Sequence, residues 1–259
     1  MSTITRSVDH WYTYTDDEGV ATTSPGCTGV VGVLDKSDAL AGHSARETAQ
    51  AAVDLAQRKV NGYSALEILL EIVGPEGVHK ALTSRPAFHR DNAAALGSRV
   101  HGWADKLLTV GLTDEDMAGM DDATLKRVRA YSKWWQDSGW TLRLTEGMVY
   151  NQEVGYGGTF DLLAYDTDGK TVLADIKTGA SGVYREAILQ LTGYGMCPIV
   201  QPQGATRTFI APKPDRYVVL HVTATKVREI EVNVGDDERM AFLDCVDLYR
   251  WLQKTAGRL

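Results

Sequence analysis

The chain has 259 residues, 44% of them hydrophobic and 24% charged, enough apolar material for a sizeable core and too much for a disordered or fibrous protein. No apolar run approaches the roughly 18 residues of a membrane helix, and MSTITRSVDHW lacks the unbroken apolar stretch of a secretory signal, so a cytoplasmic protein without membrane contact is expected. The net charge of −7 excludes a surface coated in positive charge; nucleic acid would have to be held by a local basic patch.

Residues 10 to 24 alternate around a DDEG turn and predict a small hairpin. Ala, Leu, Glu and Gln at helical spacing predict two helices between residues 37 and about 73, ending at Gly74-Pro75. Further helices are predicted over about 87–110 and 122–138. After Gly139 the pattern changes to period two, giving strands at TLRLTEGMVYN, GGTFDLLAYD and KTVLADIKTG. A helix at VYREAILQLTGYGMC, a Pro-rich connection, strands at RYVVLHVTA and VREIEVNV, and a closing helix DERMAFLDCVDLYRWLQK complete a β-β-β-α-β-β-α order. A mainly helical part over 1–138 and an α/β part over 139–259 are expected to share one core.

The segment Asp166-Thr167-Asp168-Gly169-Lys170 suits a three-residue loop, a type I turn followed by Gly169 in the left-handed conformation. With Asp166 facing Lys170, Asp161 lies across from Asp175 and Thr159 across from Lys177, all on one face. Phe160, Leu162, Ala164, Val172, Ala174 and Ile176 then form the apolar face. A two-residue turn at Asp168-Gly169 would instead separate the two aspartates. Facing carboxylates repel, and a hard divalent cation between them reverses that penalty, since oxygen donors suit Mg²⁺ or Mn²⁺. The alternative is a solvated strand face on which Lys177 neutralises both acids. Gln190 and Tyr194, four apart, share a helix face that could turn towards the same site or stay half-buried in packing. His101 is either a ligand or a satisfied core histidine.

Together LGSRVH, the acid of LTEGMVYN, GGTFD, DIKTG and QLTGY resemble the motifs of the PD-(D/E)XK nuclease superfamily, above all its RecB-like exonuclease branch, with phage-encoded relatives of the CRISPR-associated four-cysteine nucleases. The resemblance covers most of residues 27 to 200 and implies a restriction-endonuclease-like fold, a central mixed sheet flanked by helices. It implies that His101, Asp161, Asp175 and the Ile176 carbonyl bind one or two Mg²⁺ or Mn²⁺ ions. Lys177 is then catalytic, Gln190 and Tyr194 position the strand or the lysine, and Glu146 stands as an accessory acid. Those relatives hold an iron-sulfur cluster between clustered cysteines; Cys27, Cys197 and Cys245 are widely spaced without a CxxC pair, so no cluster is expected and the three read as buried thiols.

The implied activity is metal-dependent hydrolysis of DNA by an exonuclease of recombination, replication or end processing, in a host cytoplasm if phage-encoded, with DNA and proteins of those processes as partners. The alternatives are an endonuclease of the same superfamily and a non-catalytic DNA- or protein-binding module. Residues 169 to 216 carry six cations against three carboxylates, a local DNA footprint within an acidic chain. Trp134 and Trp135 are read either as base-stacking residues or as core and groove filler.

Overall fold

The computed structural model describes residues 1–34, 37–179 and 185–256. Its first elements are strands rich in Thr and aromatics: β1 (Thr3–Arg6), β2 (Trp11–Thr15) and β3 (Ala21–Pro25) form an antiparallel sheet ordered β1-β2-β3. The predicted hairpin is its β2–β3 half, so the part read as mainly helical begins with a sheet. Helix α1 (Cys27–Val31) is one short turn of chain that buries Cys27, Val30 and Val31.

Two compact units divide the chain, one of Met1–Leu34 with Leu96–Leu259, the other Asp35–Ala95. The second holds α2 (Ser37–Gln57), a two-residue-strand hairpin of β4 (Lys59–Val60) and β5 (Tyr63–Ser64), and the first part of α3 (Ala65–Thr109). Ser64 and Glu67 satisfy each other's backbone amides at the start of α3. The predicted stop at Gly74-Pro75 is where one helical segment of α3 ends and the next begins. Gly74 takes φ 68° and ψ 175°, and Pro75 then restarts the helix, where its missing N–H costs no hydrogen bond.

In the first unit, α4 (Asp114–Ala118) opens with a capping box between Thr113 and Asp116. Asp121 caps α5 (Asp122–Ser138), and Gly139 ends it at φ 68°, the left-handed position glycine adopts without a Cβ clash. The sheet follows: β6 (Thr141–Asn151), β7 (Tyr156–Tyr165), β8 (Thr171–Lys177), helix α6 (Arg185–Gly195), β9 (Ile199–Gln201), β10 (Phe209–Ile210), β11 (Arg216–Val222), β12 (Val227–Val232) and α7 (Asp236–Thr255). The order is β10-β9-β6-β7-β8-β11-β12, mixed because β8 and β11 run parallel while the other neighbours are antiparallel. The short β9–β10 pair occupies the connection that reads only as Pro-rich in the sequence. Residues 183 and 184, placed in the α6 prediction, lie outside the described residues.

Helices cover both faces of the sheet. On one, α1, α6 and α7 pack Cys27, Val30, Leu191, Phe242 and Val246 against Val149, Leu163, Leu173 and Val219. On the other, Val100 and Ala104 of α3 and Tyr131 of α5 pack on Leu162, Ala164, Val172, Ala174, Ile176, Val218 and Leu220. Across 138/139, where one shared core was expected, α5 and the end of α3 lie on the sheet's apolar surface. Trp134 belongs to this layer too, edge-on to Trp140 at 5.2 Å and donating to Glu229 at 2.8 Å, with Trp135 packed beside it.

Close packing leaves α6 little tolerance. A Cβ on Gly193 would stand 2.5 Å from Phe242 Cζ and 3.0 Å from Cys27 Sγ. Gly193→Ala is expected to destabilise by about 1–3 kcal/mol of overpacking, offset by at most about 1 kcal/mol of helix propensity. A lower urea midpoint at unchanged slope is the measurement that checks it.

Candidate metal centre

The β7–β8 hairpin has the register read from its turn. Gly169 takes φ 77°, Asp166 N–H donates to Lys170 O and Gly169 N–H to Asp166 O, both at 3.0 Å, and Asp166 Oδ1 accepts from the amides of Asp168 and Lys170. Leu162 opposes Ala174, Leu163 opposes Leu173 and Ala164 opposes Val172. The paired ladder stops there. One residue beyond, the Asp161 carboxylate takes over, its Oδ2 accepting the Ile176 N–H at 2.6 Å. Thus Asp161 holds the end of the hairpin open by replacing a backbone acceptor with a side chain. Phe160 departs from the expected face: its ring lies over Gly147, and it packs with Leu163 and Leu173.

Four elements bring acids and bases to this end of the hairpin. From α3, His101 Nδ1 stands 3.2 Å from Asp161 Oδ1. From β6 comes Glu146. Leu142 opposes Ala164 but Leu144 opposes Leu163, so β6 carries one extra residue, and Glu146 falls level with Asp161 at a left-handed φ of 48°. His101, Glu146 and Asp161 each offer one ligand atom within 4.8 Å of the others. The fourth element is β8, whose Lys177 Nζ stands 2.9 Å from Asp175 Oδ2 and 3.1 Å from its Oδ1.

Asp175 stands outside that trio, both of its oxygens facing the lysine and its buried Oδ2 held by that ion pair. Ile176 enters the geometry through its N–H. From α6, Gln190 Oε1 accepts from Lys177 at 3.1 Å, while its Nε2 donates to Thr28 Oγ1 of α1 at 3.1 Å, which fixes the amide's orientation. Tyr194, one turn on, is buried with its ring against Gly158.

The charges settle each other. Burial would pull His101 down, but the facing Asp161 outweighs it and pushes the imidazole up to about 9. Burial also opposes ionisation of Asp161, yet His101 keeps it below the usual carboxylate range. Burial, with the Asp161 charge added, pushes Glu146 up to about 7. Burial likewise pushes Asp175 up to about 6 against the pull of Lys177. For Lys177 burial is outweighed by Asp175 and Asp161, which raise the ammonium above its ordinary value. At neutral pH the cluster is thus a charged His–Asp pair, a charged Lys–Asp pair and a half-protonated Glu146.

Several residues of the site carry no signal in the sequence. Thr28 orients Gln190. Arg6 Nη1, at 3.5 Å, and the Tyr12 hydroxyl, at 2.9 Å, both meet Thr159 Oγ1, two residues before Asp161. His221, opposite Lys177 in the β8–β11 register, is buried, accepts from Arg228 at Nδ1 and so donates from Nε2 to the carbonyl of Gly179 beyond the lysine. Conversely, the cation window over 169–216 is partly engaged in structure: Arg216 bridges Asp166 at 2.7 Å and Glu231 at 2.8 Å. Cys27, Cys197 and Cys245 are free and buried.

No family model and no curated protein matches the chain. A solved structure described as "Crystal structure of SSO0001" matches 62% of this chain and 87% of that one at 12% identity, with a TM-score of 0.28. Among the described residues no helix is long and apolar enough to cross a membrane. The chain is an α/β fold with a large mixed sheet and, at the open end of one hairpin, a His–Glu–Asp trio beside a Lys–Asp pair.

Proposed function

We propose that this chain is a divalent-metal-dependent deoxyribonuclease of the PD-(D/E)XK type, acting as an exonuclease. The observation that carries the reading is the convergence on one hairpin end of His101, Glu146, Asp161, Asp175, Lys177 and Gln190 from α3, β6, β7, β8 and α6. The donor set fits a hard or borderline dication: two carboxylates and an imidazole within one ligand sphere, with the buried Asp175 carboxylate, paired with Lys177, beside them. His101, Glu146 and Asp161 would hold Mg²⁺ or Mn²⁺, with Asp175 as a further donor. A cation bound there neutralises phosphate charge and polarises the phosphorus towards attack.

The chain's own residues supply the rest. Ile176 N–H and His101 each engage one Asp161 oxygen, so that carboxylate is oriented before any ligand arrives. Lys177, aimed by Asp175 and Gln190, is a charged donor at neutral pH; it orients the attacking water and stabilises charge that builds on the phosphate. Gln190 and Thr28 hold the lysine's direction. DNA and the proteins of recombination or replication are the partners this reading assigns.

End-labelled linear DNA and covalently closed circles, incubated with Mg²⁺, Mn²⁺ or EDTA, test it. Loss of linear DNA only, and only with metal, is expected. Cutting of closed circles moves the activity to an endonuclease. No cleavage of any substrate, with no metal bound by calorimetry, overturns the enzyme and leaves a binding module.

A further inference from the structure

We propose that Arg6 is a phosphate-binding residue of this site: its guanidinium, carried by the N-terminal sheet, takes a phosphate of the strand whose linkage lies at the metal centre. The inference rests on the nuclease reading and names a contact that the PD-(D/E)XK motif residues do not include.

Three observations lead to it. First, the N-terminal sheet is fastened beside the cluster. Tyr12 opposes Arg6 across β1 and β2, and a Cβ on Gly157 of β7 would stand 2.6 Å from Tyr12 Cβ, so the Tyr12 side chain packs on β7 where only glycine fits. Second, Arg6 and Tyr12 converge on Thr159, one strand period from Asp161. Third, Arg6 is exposed and has no carboxylate partner among the described residues. Its contact with Thr159, at 3.5 Å, is long and easily exchanged.

An exposed guanidinium at the rim of an acidic cluster has two uses. It can offset carboxylate charge, or it can receive the anion that the cluster's cation attracts. The planar fork suits a phosphate, which accepts two parallel N–H donors. Arg216, the corresponding cation in the window read from the sequence, is held on both sides by carboxylates, whereas Arg6 is not. The second use therefore fits Arg6 better.

The test compares the full chain with Arg6→Gln and Arg6→Lys. Affinity for an end-labelled oligonucleotide is read by fluorescence anisotropy with Ca²⁺ across a salt series, and cleavage is read separately with Mn²⁺. Arg6→Gln is expected to weaken binding about tenfold and to reduce the slope of log affinity against log salt by about one, at unchanged thermal midpoint. Arg6→Lys restores most of the slope. A residue that only offset Glu146 would shift Mn²⁺ affinity and leave the salt slope intact, and that result overturns the proposal. Cleavage by the native chain with Arg6-independent binding removes the inference alone. Arg6-dependent binding without cleavage in any metal removes the nuclease reading alone, and absence of both binding and cleavage removes both.

Discussion

Lys177→Ala is expected to slow DNA cleavage about a thousandfold while Mn²⁺ still binds. The lysine touches Asp175 and Gln190 but not the trio's His101, so its loss removes a donor from the reaction and leaves the ligand set in place. It also removes the only cation facing Asp175 within hydrogen-bonding reach among the described residues, stranding a carboxylate that is 4% exposed. The metal-free variant should therefore melt lower than the native chain, and added Mn²⁺ should raise its melting temperature more than it raises the native one. Asp161→Asn has the opposite signature. It loses cleavage and Mn²⁺ binding together, because Asp161 is both a member of the trio and the acceptor that keeps the hairpin end open. Cleavage by Lys177→Ala within tenfold of the native rate would overturn the role given to the lysine. Since Asp175 and Asp161 raise Lys177 above its ordinary value, the rate should show no rise through neutral pH from deprotonation of a lysine base.

The hairpin was legible because its information is local. Turn residues at 166–170 set the register, and parity along β7 and β8 then placed Asp161, Asp175 and Lys177 together without reference to any other element. Gln190 was legible for a similar reason, its helix face being fixed by spacing, though its partner Thr28 was not. Glu146 shows where locality ends. Its place level with Asp161 depends on one extra residue between Leu142 and Leu144, and no glycine or proline marks that bulge in TLRLTEGMVYN. Without the bulge, Glu146 would oppose Phe160 and the trio would lack its third member.

Long-range packing hid the rest. Arg6 and Thr159 are 153 residues apart, and only the folded sheet brings them within reach. The boundary expected near residue 139 followed a real change of period, from helix to strand. Composition along the chain does not say that α5 and the end of α3 lie on that same sheet. Gly74-Pro75 ends a helix as its residues suggest, but proline is also at home in a first turn, and the helix that starts directly after it was not legible.

Cation binding is expected to expel protons, and its affinity to rise with pH. At pH 7 the metal-free cluster holds a proton on His101, pushed up to about 9, and about half a proton on Glu146, at about 7. Both must leave before imidazole and carboxylate can coordinate, so roughly 1.5 protons should be released per ion at that pH. Affinity for Mn²⁺ should then climb by about tenfold per pH unit between 7.5 and 8.5, more steeply below 7, and level off above 9. Stability of the metal-free chain moves the other way. His101 is raised by its carboxylate, so the pair's contribution is complete below the unfolded value of about 6.5 and is lost as pH rises through about 9. The raised Glu146 adds a loss of the same sign from about 4.5 to about 7, because ionising it in the fold costs more than in the open chain. The Mn²⁺-induced rise in melting temperature should consequently widen from pH 6 to pH 9. Titration calorimetry in buffers of different ionisation enthalpy counts the protons directly, and His101→Gln should remove about one of them. A proton count near zero, with affinity flat across this range, would exclude His101 and Glu146 as ligands and leave Asp175 with Asp161 as the remaining acids for a cation.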